Sequence, residues 1–147
     1  MKRVFLMIAF VMTTGVITVS CGDDDVAVSP TELTNSSSSF LETYFPGIGI
    51  TKVEQDVNSV DDYQEVTLAN GVRVDFNKQG DWTEVDGNGQ AIPTGFILPN
   101  IVEYVSVNYP NTQIEGISKQ NYGFAVDLLN GVELRFNHQG NFIGLDK

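Results

Sequence analysis

The chain has 147 residues, with 8 basic against 19 acidic, a formal net charge of −11 and a single cysteine. That balance argues against nucleic acid as a ligand, and one cysteine cannot form an intramolecular disulfide. The length suits one compact domain or two closely packed halves.

Residues 1–20 read as a signal peptide, because Lys2 and Arg3 precede an apolar run from Val4 to Val19 that ends in small residues. The end of this run, Thr18-Val19-Ser20-Cys21, resembles a bacterial lipobox, which implies that Cys21 becomes the lipidated first residue of the mature chain. The alternatives are ordinary secretory cleavage, leaving Cys21 as a stray thiol, or an uncleaved anchor. Gly22-Asp23-Asp24-Asp25 resembles the acidic tethers that send lipoproteins to the outer leaflet in certain Gram-negative bacteria. Residues 21–35 are therefore expected to form an acidic, Ser-rich tether. Losing Lys2 and Arg3 leaves six basic residues against nineteen acidic ones, a formal charge of −13 that favours cationic partners.

The folded part is expected from Ser36. Residues Ser36 to Phe45 place Phe40, Leu41, Tyr44 and Phe45 at helical spacing, with serines available as N-caps and Pro46 as the stop. A short strand over residues 50–55 follows. Val66 and Leu68 then lead into Asn70-Gly71, with Val72, Val74 and Phe76 beyond. A two-residue loop would put the two apolar sets on opposite faces. A three-residue loop, Ala69-Asn70-Gly71 closed by a left-handed glycine, instead sets Leu68 opposite Val72 and Val66 opposite Val74. Lys78-Gln79-Gly80 repeats the device and sets Phe76 opposite Trp82. The next strand needs a bulge, because Trp82 and Val85 are three apart and cannot otherwise share a face.

Residues 87–99 form a connecting segment. A second helix is predicted from Asn100 to Tyr109, stopping at Pro110, and a strand over residues 114–119. Residues 66–86 then recur as 126–146, with identities that include Val66/Val126, Leu68/Leu128, Asn70-Gly71/Asn130-Gly131, Phe76-Asn77/Phe136-Asn137 and Gln79-Gly80/Gln139-Gly140. The fold class expected is α+β, a tandem repeat of one helix plus about four antiparallel strands over residues 36–86 and 100–147. The helices should pack on one face of the sheet or sheets.

The order of helix, aromatic-proline, strand and hairpin resembles the PepSY-like, β-lactamase-inhibitor-like family, over roughly residues 36–147. The stretch Phe-Asn-Lys-Gln-Gly-Asp-Trp from Phe76 to Trp82, together with Asn130-Gly131, carries the likeness. The resemblance implies a small exported or lipid-anchored bacterial protein, non-catalytic, with a sheet face that binds a protein. No inhibitory residue of the family maps onto a position here, so inhibition of a β-lactamase is not implied.

Catalytic chemistry finds few candidates. Cys21 lies on the tether, and the sole histidine, His138, falls in a predicted exposed turn where the first copy has Lys78. One histidine and no cysteine in the folded part argue against a zinc site, and no dinucleotide fingerprint occurs; calcium has no Asp-x-Asp-x-Asp-Gly loop to bind, only the weak fragment Asp86-Gly87-Asn88-Gly89, whose other reading is a linker turn. No catalytic residue, metal or cofactor is expected. The inferred register puts Glu65 opposite Asp75 and Asp127 opposite Glu133 on the polar sheet face, where like charges cost stability. One reading is a face kept acidic for a cation or a basic partner; the other is a solvated surface neutralised diagonally by Arg73 and Arg135. The candidate partner-binding set is Thr67, Arg73, Asp75, Asp127, Glu133 and Arg135. The function expected is a non-catalytic, lipid-anchored envelope module, attached to the membrane through Cys21, that binds a protein partner. A carbohydrate or small-ligand binding accessory lipoprotein, with Trp82 as platform, is the alternative.

Overall fold

The structure is a computed structural model that describes residues 25–27, 33–59 and 63–146; the expected signal peptide, lipobox and Cys21 lie outside the described residues. In chain order the elements are β1 (Asp25–Ala27), α1 (Asn35–Tyr44), β2 (Ile50–Asp56), β3 (Gln64–Leu68), β4 (Arg73–Phe76) and β5 (Trp82–Asp86), then α2 (Pro99–Asn108), β6 (Ile114–Gln120), β7 (Gly123–Leu128), β8 (Glu133–Asn137) and β9 (Phe142–Leu145).

The hairpin registers follow from side-chain parity. Leu68 N–H donates to the Val72 carbonyl at 2.8 Å and Gly71 sits at φ +89°, closing a three-residue loop. Leu128 and Val132 make the same bond at 2.9 Å. Phe76 faces Trp82 and Phe136 faces Phe142, while the neighbouring pairs are Asp75 with Glu84 and Arg135 with Gly144. Thr83 and Ile143 are thus the extra residues of two bulges, which return Val85 and Leu145 to the apolar side. Thr34, rather than one of the serines, caps α1, its hydroxyl accepting the Ser37 N–H at 3.1 Å. Pro99 takes the first turn of α2, where its missing N–H costs nothing.

The expected tandem of two helix-plus-four-strand units is corrected by the strand pairing. β5 hydrogen-bonds to β6, with Val85 opposite Ile117 and Asp86 opposite Gly116. The eight strands from Ile50 to Leu145 therefore form one continuous antiparallel sheet, lengthened to nine by the three-residue β1 on the β2 edge, with two helices against it. Two separate four-stranded sheets would each expose two edges and enclose a small core. Joining them at β5 and β6 removes two edges and fuses the cores.

One apolar row crosses seven strands: Val53, Val66, Val74, Val85, Ile117, Val126 and Leu134 are consecutive cross-strand neighbours, none more than 2% exposed. Both helices cover this side. Phe40 of α1 meets Phe76 edge-on at 5.7 Å between ring centres, and Tyr104 of α2 meets Phe136 at 5.4 Å. Burying such a row supplies about 1.5–3 kcal/mol per large aliphatic side chain and orients everything on the opposite face.

Candidate binding face

Residues that alternate with the apolar row form the open face. One row runs Glu54, Glu65, Asp75, Glu84, Ser118, Ala125, Arg135 and Gly144; the adjacent row runs Lys52, Thr67, Arg73, Asp86, Gly116, Asp127 and Glu133. All six sequence-predicted partner-binding residues lie on this face. Thr67, Arg73, Asp127 and Glu133 share the second row, and Asp75 and Arg135 the first.

They do not form one cluster. Thr67 and Arg73 are direct neighbours on β3 and β4, whereas Asp127 and Glu133 are neighbours on β7 and β8. At about 4.8 Å between adjacent strands, three strand spacings separate Arg73 from Asp127 by about 14 Å. The diagonal neutralisation considered from sequence is present in part, between Arg73 and Glu65. Arg73 forms a hydrogen-bonded ion pair with Asp86 at 2.6 Å and reaches Glu65 only at 3.9 Å. Arg135 stacks its guanidinium over Tyr122, 4.3 Å from the ring centre.

Between the two groups lies a cleft of 270 Å³ whose carboxylates come from Glu84, Asp86, Glu115, Asp127 and Glu133. Gly116 gives it depth: a Cβ there would come within 3.3 Å of Asp127 Oδ2 and of the Val85 carbonyl. Glu115 is the extra residue of a bulge between Ile114 and Gly116, and its carboxylate accepts the Gly89 N–H at 2.7 Å. Burial raises the Asp127 carboxyl pKa, and the charges of Glu115, Asp86 and Asp146 raise it further. Glu133 is raised by burial and then by Asp127 and Asp146, against a smaller opposing pull from Arg135. Asp86 is lowered: burial pushes it up, but the Arg73 hydrogen bond, the Asn88 N–H and the Arg73 charge together outweigh it.

Sequence reasoning missed Glu54, Glu84 and Glu115 on this face, and singled out Asp86 only as part of the fragment Asp86-Gly87-Asn88-Gly89. Glu84 and Asp86 could have been found, since they flank Val85 with strict alternation once the Thr83 bulge is placed. Glu115 could not, because its position follows from a bulge at the β5–β6 seam. Among the described residues no group of three or more His, Cys, Asp or Glu side chains is arranged to hold a metal ion. His138 lies exposed in the β8–β9 turn with Nε2 3.1 Å from the Asn121 carbonyl oxygen. Trp82 is half-buried, covered by Lys119 at 4.3 Å and packed on Phe96 at 5.2 Å.

The fold is one meandering antiparallel sheet, shielded by two helices on one side and presenting charged rows on the other. The chain belongs to the family described as "Putative beta-lactamase-inhibitor-like, PepSY-like", whose model matches residues 62–144. It is similar to a solved Bacteroides thetaiotaomicron protein described as a "putative calcium-regulated periplasmic protein", at 28% identity and a TM-score of 0.78 over 84% of this chain and 98% of that one. A "putative periplasmic protein" from Bacteroides vulgatus is 30% identical, with a TM-score of 0.76 over 85% of this chain and 98% of that one. A second Bacteroides vulgatus protein, also described as periplasmic, is 25% identical, with a TM-score of 0.76 over 84% and 99%. No curated protein matches the chain. The shared periplasmic description supports export.

Proposed function

We propose that this chain is a non-catalytic, exported module, lipid-anchored through Cys21, that binds a protein partner of basic surface through its open sheet face. The observation that carries this reading is the run Glu54, Glu65, Asp75 and Glu84, four carboxylates directly opposed across four adjacent strands. Like charges in that register cost stability, offset in part by Lys52 at 2.6 Å from Glu54 and Arg73 at 3.9 Å from Glu65, and a face kept this acidic is suited to a cationic ligand. A basic partner would offset the repulsion and gain association rate from the chain's net negative charge. A sugar platform draws no comparable support, since Lys119 and Phe96 occupy the surroundings of the Trp82 ring.

The test is retrieval of an exported protein by the tagged mature chain from the envelope fraction of its own cell. Asp75→Lys combined with Glu84→Lys should abolish capture, while Ser39→Lys on the helical side should leave it intact. Capture that survives the double reversal would refute the face. Running the experiment with calcium and with chelator separates partner binding from a divalent-ion effect of the kind named for the thetaiotaomicron protein.

A further inference from the structure

We propose that the mature chain stands on its membrane by one end of the sheet, with residues 57–59 and the turns at residues 77–81, 120–123 and 137–141 against the lipid headgroups. This rests on the reading of Cys21 as the acylated residue. β1 runs antiparallel to β2, with Asp25 opposite Asp56 and Ala27 opposite Glu54, so the chain enters the sheet at the Asp56 end. Cys21 is four Cα–Cα steps from Asp25, a reach of at most about 14 Å. A seven-residue strand such as β2 spans about 23 Å, so the opposite end of the sheet cannot approach the acyl chains while β1 is paired. Residues 25–27, expected within the tether over residues 21–35, are paired in the sheet.

Side chains at the entering end fit an interfacial position. Each of the three cation–aromatic pairs among the described residues has its aromatic ring there: Lys78 over Tyr63, Lys119 over Trp82 and Arg135 over Tyr122. Tyr63 and Tyr122 are partly exposed, with the cation over the ring face, and suit the headgroup layer, where one edge is wet and the other is not, whereas Trp82 is covered by Lys119 and Phe96. Both helices also begin at this end, as Thr34 packs at Gly80 and Asn100 Nδ2 donates to the Gln139 carbonyl at 3.0 Å. Asp56 and Asp81 lie there too, so the anchor and the amphipathic rings hold the orientation, without net positive charge. The acidic face then stands across the membrane surface, open along its length to a partner in the aqueous phase.

The experiment uses the full acylated protein in phosphatidylethanolamine vesicles containing an acceptor-labelled lipid. A donor fluorophore is placed on Gln79→Cys, in an exposed turn at the entering end, or on Asn111→Cys, exposed at the other. Energy transfer to the lipid should be about twofold or more higher from position 79, given the strand length between the two ends. Equal transfer from the two positions, or higher transfer from position 111, overturns the orientation and leaves the anchor standing. Intact mass of the mature chain separates the two ideas: a free Cys21 thiol sinks the anchor and the orientation together.

Discussion

Gly71 and Gly80 share a left-handed backbone, at φ +89° and +87°, yet their alanine variants should differ. A Cβ on Gly71 would meet only Asn88 Nδ2, at 3.6 Å, so Gly71→Ala costs the backbone strain alone, about 1 kcal/mol. A Cβ on Gly80 would overlap Thr34 Oγ1 and press on Ser36 and Ser37, so the same change must also displace the first turn of α1, about 2–4 kcal/mol in all. Urea denaturation of the two variants decides it, equal losses meaning that α1 does not brace the turn. Asp127 gives a prediction of opposite sign. Its folded-state pKa is raised by burial and by Glu115, Asp86 and Asp146, so between the unfolded and folded values the native state binds more protons. Stability from this group therefore falls as pH rises through that window, and the penalty is complete at neutral pH. Asp127→Asn removes it. Because the residue is exposed, the gain is small, about 1–3 °C in Tm at pH 7, and it should vanish on acidification below about pH 4. A Tm difference independent of pH would show that the carboxylate cluster is not its origin.

Helix α1 holds four consecutive serines, Ser36 to Ser39, which form helices less well than alanine by about 0.5 kcal/mol each. What keeps it folded is its underside, where Leu41 and Phe45 enter the core and Phe40 meets Phe76, together with the Thr34 cap. Ser36→Ala and Ser39→Ala, both at exposed positions, should each stabilise the protein by a few tenths of a kcal/mol, and Thr34→Ala should cost about 1 kcal/mol. Thermal melts of the three variants check the ordering, and a neutral Thr34→Ala would mean that the cap contributes nothing. The same contrast explains what was legible beforehand. Helix limits and hairpin registers could be read, because the 3.6-residue and two-residue periods are local and the three-residue loops allow only one parity. The cap was not legible, because the sequence offers five candidate hydroxyls, Thr34 and Ser36 to Ser39, and no local rule chooses among them. That a bulge was needed was readable from the spacing of Trp82 to Val85 and Phe142 to Leu145, but its place at Thr83 and Ile143 was not.

Pairing between β5 and β6 was not legible, because the 27 residues from Gly87 to Gln113 that separate these strands in the chain impose no register, unlike a three-residue turn. The same gap hid the seam cleft, so the candidate residues were read as two separate acidic pairs when the structure sets them in two rows across one face. A single sheet has a consequence that two units would not. Ile117 is 1% exposed and bridges Val85 of β5 and Val126 of β7, whereas Trp82, the sole tryptophan, belongs to the first half of the sheet. Ile117→Ala should cost about 2–5 kcal/mol through lost burial and the cavity left behind. With one fused core that loss must lower the midpoint seen by Trp82 fluorescence and by far-UV circular dichroism equally, in one two-state transition. Were the halves independent, Trp82 would report an unchanged midpoint while the circular dichroism split into two phases. Coincident denaturation curves for the two probes, shifted together by Ile117→Ala, are the expected result. They would locate cooperativity at the β5–β6 seam, beneath the cleft where Asp86 and Asp127 flank Gly116.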